Sequence, residues 1–154
     1  MGALEIRVDD PRNEKVAALL REHLHGMTLN SPPESIHALD IEALCRPEIT
    51  FWAAWRDEEL LGCGALLALD AEHGEIKSMR TATPHLRQGV AAAILECIVA
   101  EARRRGYGRL SLETGSMAAF TPARAMYARF GFVECGPFGS YVLDPYSVFM
   151  TREL

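Results

Sequence analysis

The sequence predicts one mixed α/β domain over residues 1–154, on three observations. A chain of 154 residues suffices for one sizeable core and is short for two. Hydrophobic residues make up 49% of it, which excludes a disordered chain. Segments of two-residue and of 3.6-residue apolar period then alternate from end to end, as strands and helices of one layered fold do.

Each element has its own signal. Leu4, Ile6 and Val8 alternate with Glu5 and Arg7, a half-buried strand. Asp10 and Pro11 read as the cap and first position of a helix that carries Val16, Ala17, Leu19, Leu20 and Leu24 on one face and ends at Gly26. Ser31-Pro32-Pro33-Glu34 has capping-box spacing and predicts a second helix through Ile36, Leu39, Ile41 and Leu44, stopping before Pro47. Three strands follow as a meander, near 49–55, 60–69 and 75–81. The middle one is almost wholly apolar, as a central strand is. A long amphipathic helix opens at Gln88-Gly89-Val90 and buries Ile94, Leu95, Ile98, Val99 and Ala102. Arg103-Arg104-Arg105 suits its negative C-terminal end, and Gly106 closes it. A strand at 110–113, a helix at 122–130 closed by Gly131, and strands starting at Phe132 and Val148 complete the chain.

The net charge of -5 and pI of about 5.5 argue against a nucleic-acid partner and suit a cationic or amine-bearing one. Cys45, Cys63, Cys97 and Cys135 form no C-x-x-C pair and have no His at metal spacing. They read as free thiols, with no metal, in a reducing cytoplasm. No apolar run reaches about 18 residues, and no charged-then-apolar leader opens the chain, so no membrane association is expected.

Chemistry concentrates where the third meander strand turns into the long helix, at Leu86-Arg87-Gln88-Gly89-Val90-Ala91. The first amides of a helix lack partners inside it and face the positive end of its dipole, so they form an anion cradle. Gly89 allows close approach, and a pyrophosphate is the natural ligand. The G-K-[ST] of a Walker A loop and the G-x-G-x-x-G of a dinucleotide fold are both absent.

This stretch resembles motif A of the GNAT superfamily of N-acetyltransferases, [RQ]-x-x-G-x-[GA]. It matches at Gly89 and Ala91. Leu86 stands where the family has Arg or Gln, and Arg87 is displaced by one position. Downstream, Pro122 to Phe132, with Met126-Tyr127 and Gly131-Phe132, resembles the family's A-x-x-[LM]-Y-x-x-x-G-F signature. The resemblance implies a mixed, mostly antiparallel sheet, splayed near its centre, with helices on both faces. It implies acetyl-CoA as cosubstrate, with Gln88, Gly89, Val90, Ala91 and Ala92, beside Arg87, holding the pyrophosphate. The backbones of Met79 and Thr81 would bond pantetheine like an added strand. It further implies attack by a primary amine, from a small molecule or a peptide, on the thioester. Tyr127 would then serve the leaving thiolate, and a carboxylate on the splayed strands, Glu75 first and Glu113 second, would take the amine's proton. His73 and His85 flank this region, and His85, one residue before the cradle, reads as a surface loop histidine ahead of a phosphate contact or a base, while Trp52, Trp55, His25 and Met27 would wall the acceptor site. A homodimer is compatible with the family. The alternative function is a non-catalytic acyl-CoA-binding or sensing module on the same fold.

Overall fold

The computed structural model describes residues 2–36 and 39–154. Seven strands form one sheet: β1 (Glu5–Val8), β2 (Ile49–Arg56), β3 (Glu59–Ala68), β4 (His73–Thr81), β5 (Arg109–Gly115), β6 (Val133–Cys135) and β7 (Ser147–Glu153). Their order is β1-β2-β3-β4-β5-β7-β6, and every pair is antiparallel except β4 with β5. The helices are α1 (Glu14–Asn30), α2 (Ile41–Leu44), α3 (Val90–Arg104) and α4 (Thr121–Arg129).

The sheet has apolar side chains on both faces because β2 and β3 are apolar over most of their length. Trp52, Ala54, Leu61, Leu66 and Ile76 pack against Ile94, Leu95 and Ile98 of α3 and against Met126 and Tyr127 of α4. Phe51, Ala53, Trp55, Cys63 and Ala65 point the other way, onto Val16, Leu19 and Leu20 of α1 and Leu44 of α2. Ile94, Leu95 and Ile98 are fully buried. Each such side chain contributes roughly 1.5–3 kcal/mol through burial.

β4 and β5 pair only from His73–Arg109 to Ile76–Leu112. Beyond that point β4 stays with β3 as far as Thr81, and β5 stays with β7 as far as Gly115. The two strands therefore diverge into a gap, the splayed mixed sheet that the family resemblance implies. The gap starts beside a bulge. Cys63 pairs with Arg80 and Ala65 with Lys77, so β4 carries one extra residue there, and Ser78 takes a φ of +56°.

The N-terminal third departs from the sequence expectation. α1 begins at Glu14, capped by Asn13, whose Oδ1 accepts from the amides of Lys15 and Val16 at 3.0 and 3.3 Å. Asp10 instead closes a local turn by accepting from the Arg12 amide at 2.9 Å. The helix also runs past Gly26 to Asn30, with Asn30 Nδ2 donating back to the Gly26 carbonyl at 2.8 Å. A glycine inside a helix costs only about 1 kcal/mol, which the buried face of α1 outweighs. Ser31 is the C-cap of α1 and caps no second helix. Pro33–Ser35 form one 3-10 turn, and α2 starts at Ile41 behind an Asp40 cap. The predicted helix over His37 and Ala38 lies outside the described residues.

Candidate functional site

The turn into α3 is built to leave its amides free. Arg87 and Gly89 adopt φ of +63° and +81°, an unusual pair that folds the chain back on itself before the helix starts. Gly89 is the N-cap and has no side chain with which to satisfy the helix, and the next helical bond runs from Ala93 to the Gly89 carbonyl at 3.0 Å. Among the described residues, the amides of Arg87, Gln88, Gly89, Val90, Ala91 and Ala92 donate to no backbone or side-chain acceptor. A Cβ built on Gly89 meets nothing within 4 Å. Open space bounded by unpaired amides at a helix N-terminus fits a diphosphate. Arg87 and Gln88 are exposed at the lip of this cradle.

The strand that leaves β5, β4, is the one whose chain continues into this turn. Met79 and Thr81, the residues expected to bond pantetheine, lie on the part of β4 that pairs with β3 alone. Met79 packs with the α3-side core. Gly64 makes room for it, since a Cβ there would lie 2.5 Å from Met79 Sδ and 2.7 Å from Ile94.

The three candidate catalytic side chains lie on opposite faces of the sheet. Ile76 and Leu112 point into the α3-side core, so their neighbours Glu75 and Glu113 point to the other face. Tyr127, on α4, lies in the α3-side core, 5% exposed, with its ring edge-on to Phe132 at 5.8 Å. No hydrogen bond to its hydroxyl occurs among the described residues, and burial holds the phenol well above its ordinary pKa. It is thus a protonated donor with nothing to donate to.

Glu75 is 3% exposed and is held by two donors. Lys77 Nζ reaches its Oε2 at 3.1 Å, and Tyr141 Oη donates to the same oxygen at 2.5 Å. Lys77 Nζ also donates to Tyr141 Oη at 3.0 Å. Glu113 is half-buried on the facing strand. Burial pushes its carboxyl up to about 7, opposed by the Ser147 hydroxyl and the Lys77 charge. Tyr141 belongs to the loop between β6 and β7, where it packs with Phe138 and Phe149 at 5.0 and 5.4 Å. Asp144, farther along that loop, accepts from Ser35 Oγ at 2.6 Å. Sequence reasoning missed Tyr141, because a single aromatic between turn residues carries no periodicity.

Other expected site residues lie elsewhere. Trp52 and Trp55 do not wall an acceptor site. Trp52 is in the core beneath α3, and Trp55 lies under α1 with its indole N–H donating to Asp9 at 2.8 Å. Strand alternation buries both on the two sides of β2. His73 Nε2 is 2.7 Å from Ser111 Oγ, at the paired end of the gap, and His85 contacts Glu59 at 3.2 Å. His25 is exposed on α1 and Met27 half-buried beside it. Among the described residues no group of three or more His, Cys, Asp or Glu could hold a metal ion, and no helix is long and apolar enough to cross a membrane.

Comparison with known proteins agrees with this architecture. Residues 13–132 match the Acetyltransferase (GNAT) family. The uncharacterized N-acetyltransferase YsnE of Bacillus subtilis is 61% identical over 151 residues, covering 98% of this chain and 100% of that one. YedL of Escherichia coli, also an uncharacterized N-acetyltransferase, is 50% identical over 97% of this chain and 94% of its own. An IAA acetyltransferase of Azospirillum brasilense is 38% identical over 100% of both chains. In three dimensions the chain superposes on a Bacillus subtilis acetyltransferase in complex with CoA, with a TM-score of 0.73 and 17% identity over 99% of each chain. It also superposes on a GNAT family acetyltransferase from Elizabethkingia anophelis with acetyl-CoA bound, with a TM-score of 0.69 and 18% identity over 98% of each chain.

Proposed function

Because the chain belongs to the Acetyltransferase (GNAT) family and is an acetyltransferase, we propose that it transfers the acetyl group of acetyl-CoA to a primary amine. The transfer is direct, within a ternary complex. The observation that carries this reading is the gap itself. It opens at Ile76 and Leu112, on the strand that continues into a turn of free amides at Gly89, with Tyr127 on one face of the sheet and two carboxylates on the other.

Bound acetyl-CoA supplies an activated thioester carbonyl for the amine to attack. This chain's residues do the rest. The amides of Gln88 to Ala92, with Arg87 beside them, hold the diphosphate, and the backbones of Met79 and Thr81 bind the pantetheine arm. An alkylammonium with a lysine-like pKa of about 10.4 is mostly protonated at neutral pH, so a proton must leave before attack. One carboxylate of the Glu75 and Glu113 pair takes it. Tyr127 Oη, unpaired and protonated, donates to the departing sulfur from the opposite face, so charge does not build on the thiolate.

An acceptor panel tests the reading by release of the CoA thiol from acetyl-CoA. It contains alkyl amines, amino acids and peptides, and also IAA in view of the Azospirillum brasilense relative. We expect thiol release that depends on one amine class. Tight CoA binding without release for any acceptor would replace the enzyme by an acyl-CoA-binding module.

A further inference from the structure

We propose, resting on the acetyl-transfer reading above, that Lys77 and Tyr141 are positioning residues that clamp Glu75 Oε2 and so leave Glu113 as the group that takes the amine's proton. Lys77 Nζ, Tyr141 Oη and Glu75 Oε2 form a closed ring with edges of 3.1, 3.0 and 2.5 Å. The Lys77 and Glu75 side chains are 8% and 4% exposed, so water does little to screen their attraction. Both donors end on the same oxygen, so to take the amine's proton Oε2 would have to give up one of them. Glu75 Oε2 is therefore already engaged, whereas a proton acceptor must stand open to the amine.

Glu113 has the opposite setting. It lies on β5 one residue beyond the last pair with β4, at the mouth of the gap, and forms no ion pair among the described residues. The groups facing it are Lys77 and Glu75 from β4, Asp144 from the β6–β7 loop and Ser147 from β7. Lys77 would hold Glu113 ionised and unreactive at low pH if it turned toward it. The ring turns Lys77 toward Glu75 and Tyr141 instead. Tyr141 is fixed in that role because it packs on Phe149, the cross-strand partner of Glu113. Burial then leaves the Glu113 carboxyl exchanging its proton near neutrality, at about 7.

The test is the pH dependence of kcat/KM for wild type, Glu113→Gln, Glu75→Gln and Lys77→Met. It uses an amine that titrates above pH 9, thiol release as the readout, and CoA affinity within about threefold as the check on folding. Wild type should show a limb that rises through neutral pH. Glu113→Gln should lose that limb and, at neutral pH, at least about 10²-fold in rate. Glu75→Gln should keep that limb. Its limb should move about one unit toward acid, because a negative neighbour is gone and Lys77 is released toward Glu113. Lys77→Met should move the same limb about one unit toward alkali, and Lys77→Gln replaces it if the Met variant does not fold. Opposite shifts from two members of one ring are a signature that loosened packing would not give. Loss of the limb in Glu75→Gln with its retention in Glu113→Gln would make Glu75 the proton acceptor and overturn the inference. Shifts of one sign, or none, overturn it too. If wild type releases no thiol with any acceptor, the acetyl-transfer reading fails first and this inference with it.

Discussion

Replacing Gly89 with Asp should separate the fold from cofactor binding. A Cβ at this position meets no atom within 4 Å, so the aspartate fits. The cost to stability is conformational, because φ is +81° and a side chain in the left-handed region costs roughly 1–2 kcal/mol. Asp tolerates that region better than most residues, and its carboxylate can accept from the free amides of α3, which offsets about 1 kcal/mol. The variant should therefore melt within about 2–4 °C of wild type. Binding is different, because the same amides would now face a fixed anion. Each charge-assisted bond from an amide to a diphosphate is worth about 1.5–3 kcal/mol. Losing two of them lowers CoA affinity by about 10²–10⁴-fold before repulsion is counted. Calorimetric titration with CoA beside a thermal melt measures both sides, and Gly89→Ala serves as companion, with the strain but not the charge. CoA affinity within twofold of wild type in a Gly89→Asp protein that melts normally would refute the cradle.

Tyr127→Phe should lower kcat by about 10²–10⁴-fold while CoA affinity holds, since the ring still packs on Phe132 and only the hydroxyl is lost; a wild-type turnover number removes Tyr127 from the reaction. Two buried groups should give opposing pH dependences of stability. Burial lowers His23 to about 4 with the Arg80 charge adding to the effect, so the unfolded chain binds a proton near pH 6.5 that the native state refuses. Stability from His23 is complete above about 6.5 and is lost as pH falls toward 4, by up to about 3 kcal/mol. Glu113 is raised to about 7, so the native state keeps a proton that the unfolded chain releases near 4.5, and stability falls as pH rises through that window. Partial exposure limits this contribution to about 1–2 kcal/mol. Urea unfolding between pH 4.5 and 6.5 should thus be steeper in pH for Glu113→Gln than for wild type and should reverse slope in His23→Leu. Parallel wild-type-like curves in both variants would contradict the two assignments.

The parts of this molecule that repeat a pattern were legible in the sequence, and the parts that depend on a single distant contact were not. The meander from 49 to 81, α3 and α4 each carry a period plus a stop signal, and they fall within a few residues of their predicted limits. A glycine at a strand–helix junction is common, so Gly89 was legible as a turn, and only the resemblance to motif A pointed to a ligand there. The start of α1 was misplaced because Asp10-Pro11 and Asn13 are both good starts, and only the turn closed by Asp10 and the Arg12 amide decides between them. Trp52 and Trp55 looked like pocket walls because large aromatics are common there. Strand alternation buries them on opposite sides of β2, a consequence of α1 and α3 covering both faces. Lys77 and Glu75, two residues apart on β4, form an ion pair. Tyr141 joins it from 66 residues away, a separation no local pattern can encode.

The bulge in β4 links the fold to the chemistry. An extra residue increases a strand's local twist and bends it. β4 remains bonded to β3 on both sides of Ser78, so the bend can only carry it away from β5, which β7 holds in place as far as Gly115. The last β4–β5 pair, Ile76 with Leu112, lies two residues before Ser78, so the gap opens where the bulge starts. A serine at φ +56° costs on the order of 1–3 kcal/mol, and packing on both faces sustains it. Cys63 Sγ donates to the Ser78 carbonyl at 3.3 Å on one face, and Met79 seats over Gly64 on the other. Gly62 and Gly64 are therefore the local trace of the gap in the sequence, two residues without side chains in the most apolar strand of the sheet. Without the bulge, β4 and β5 could pair along their full length, and no gap would open beside Glu75 and Glu113.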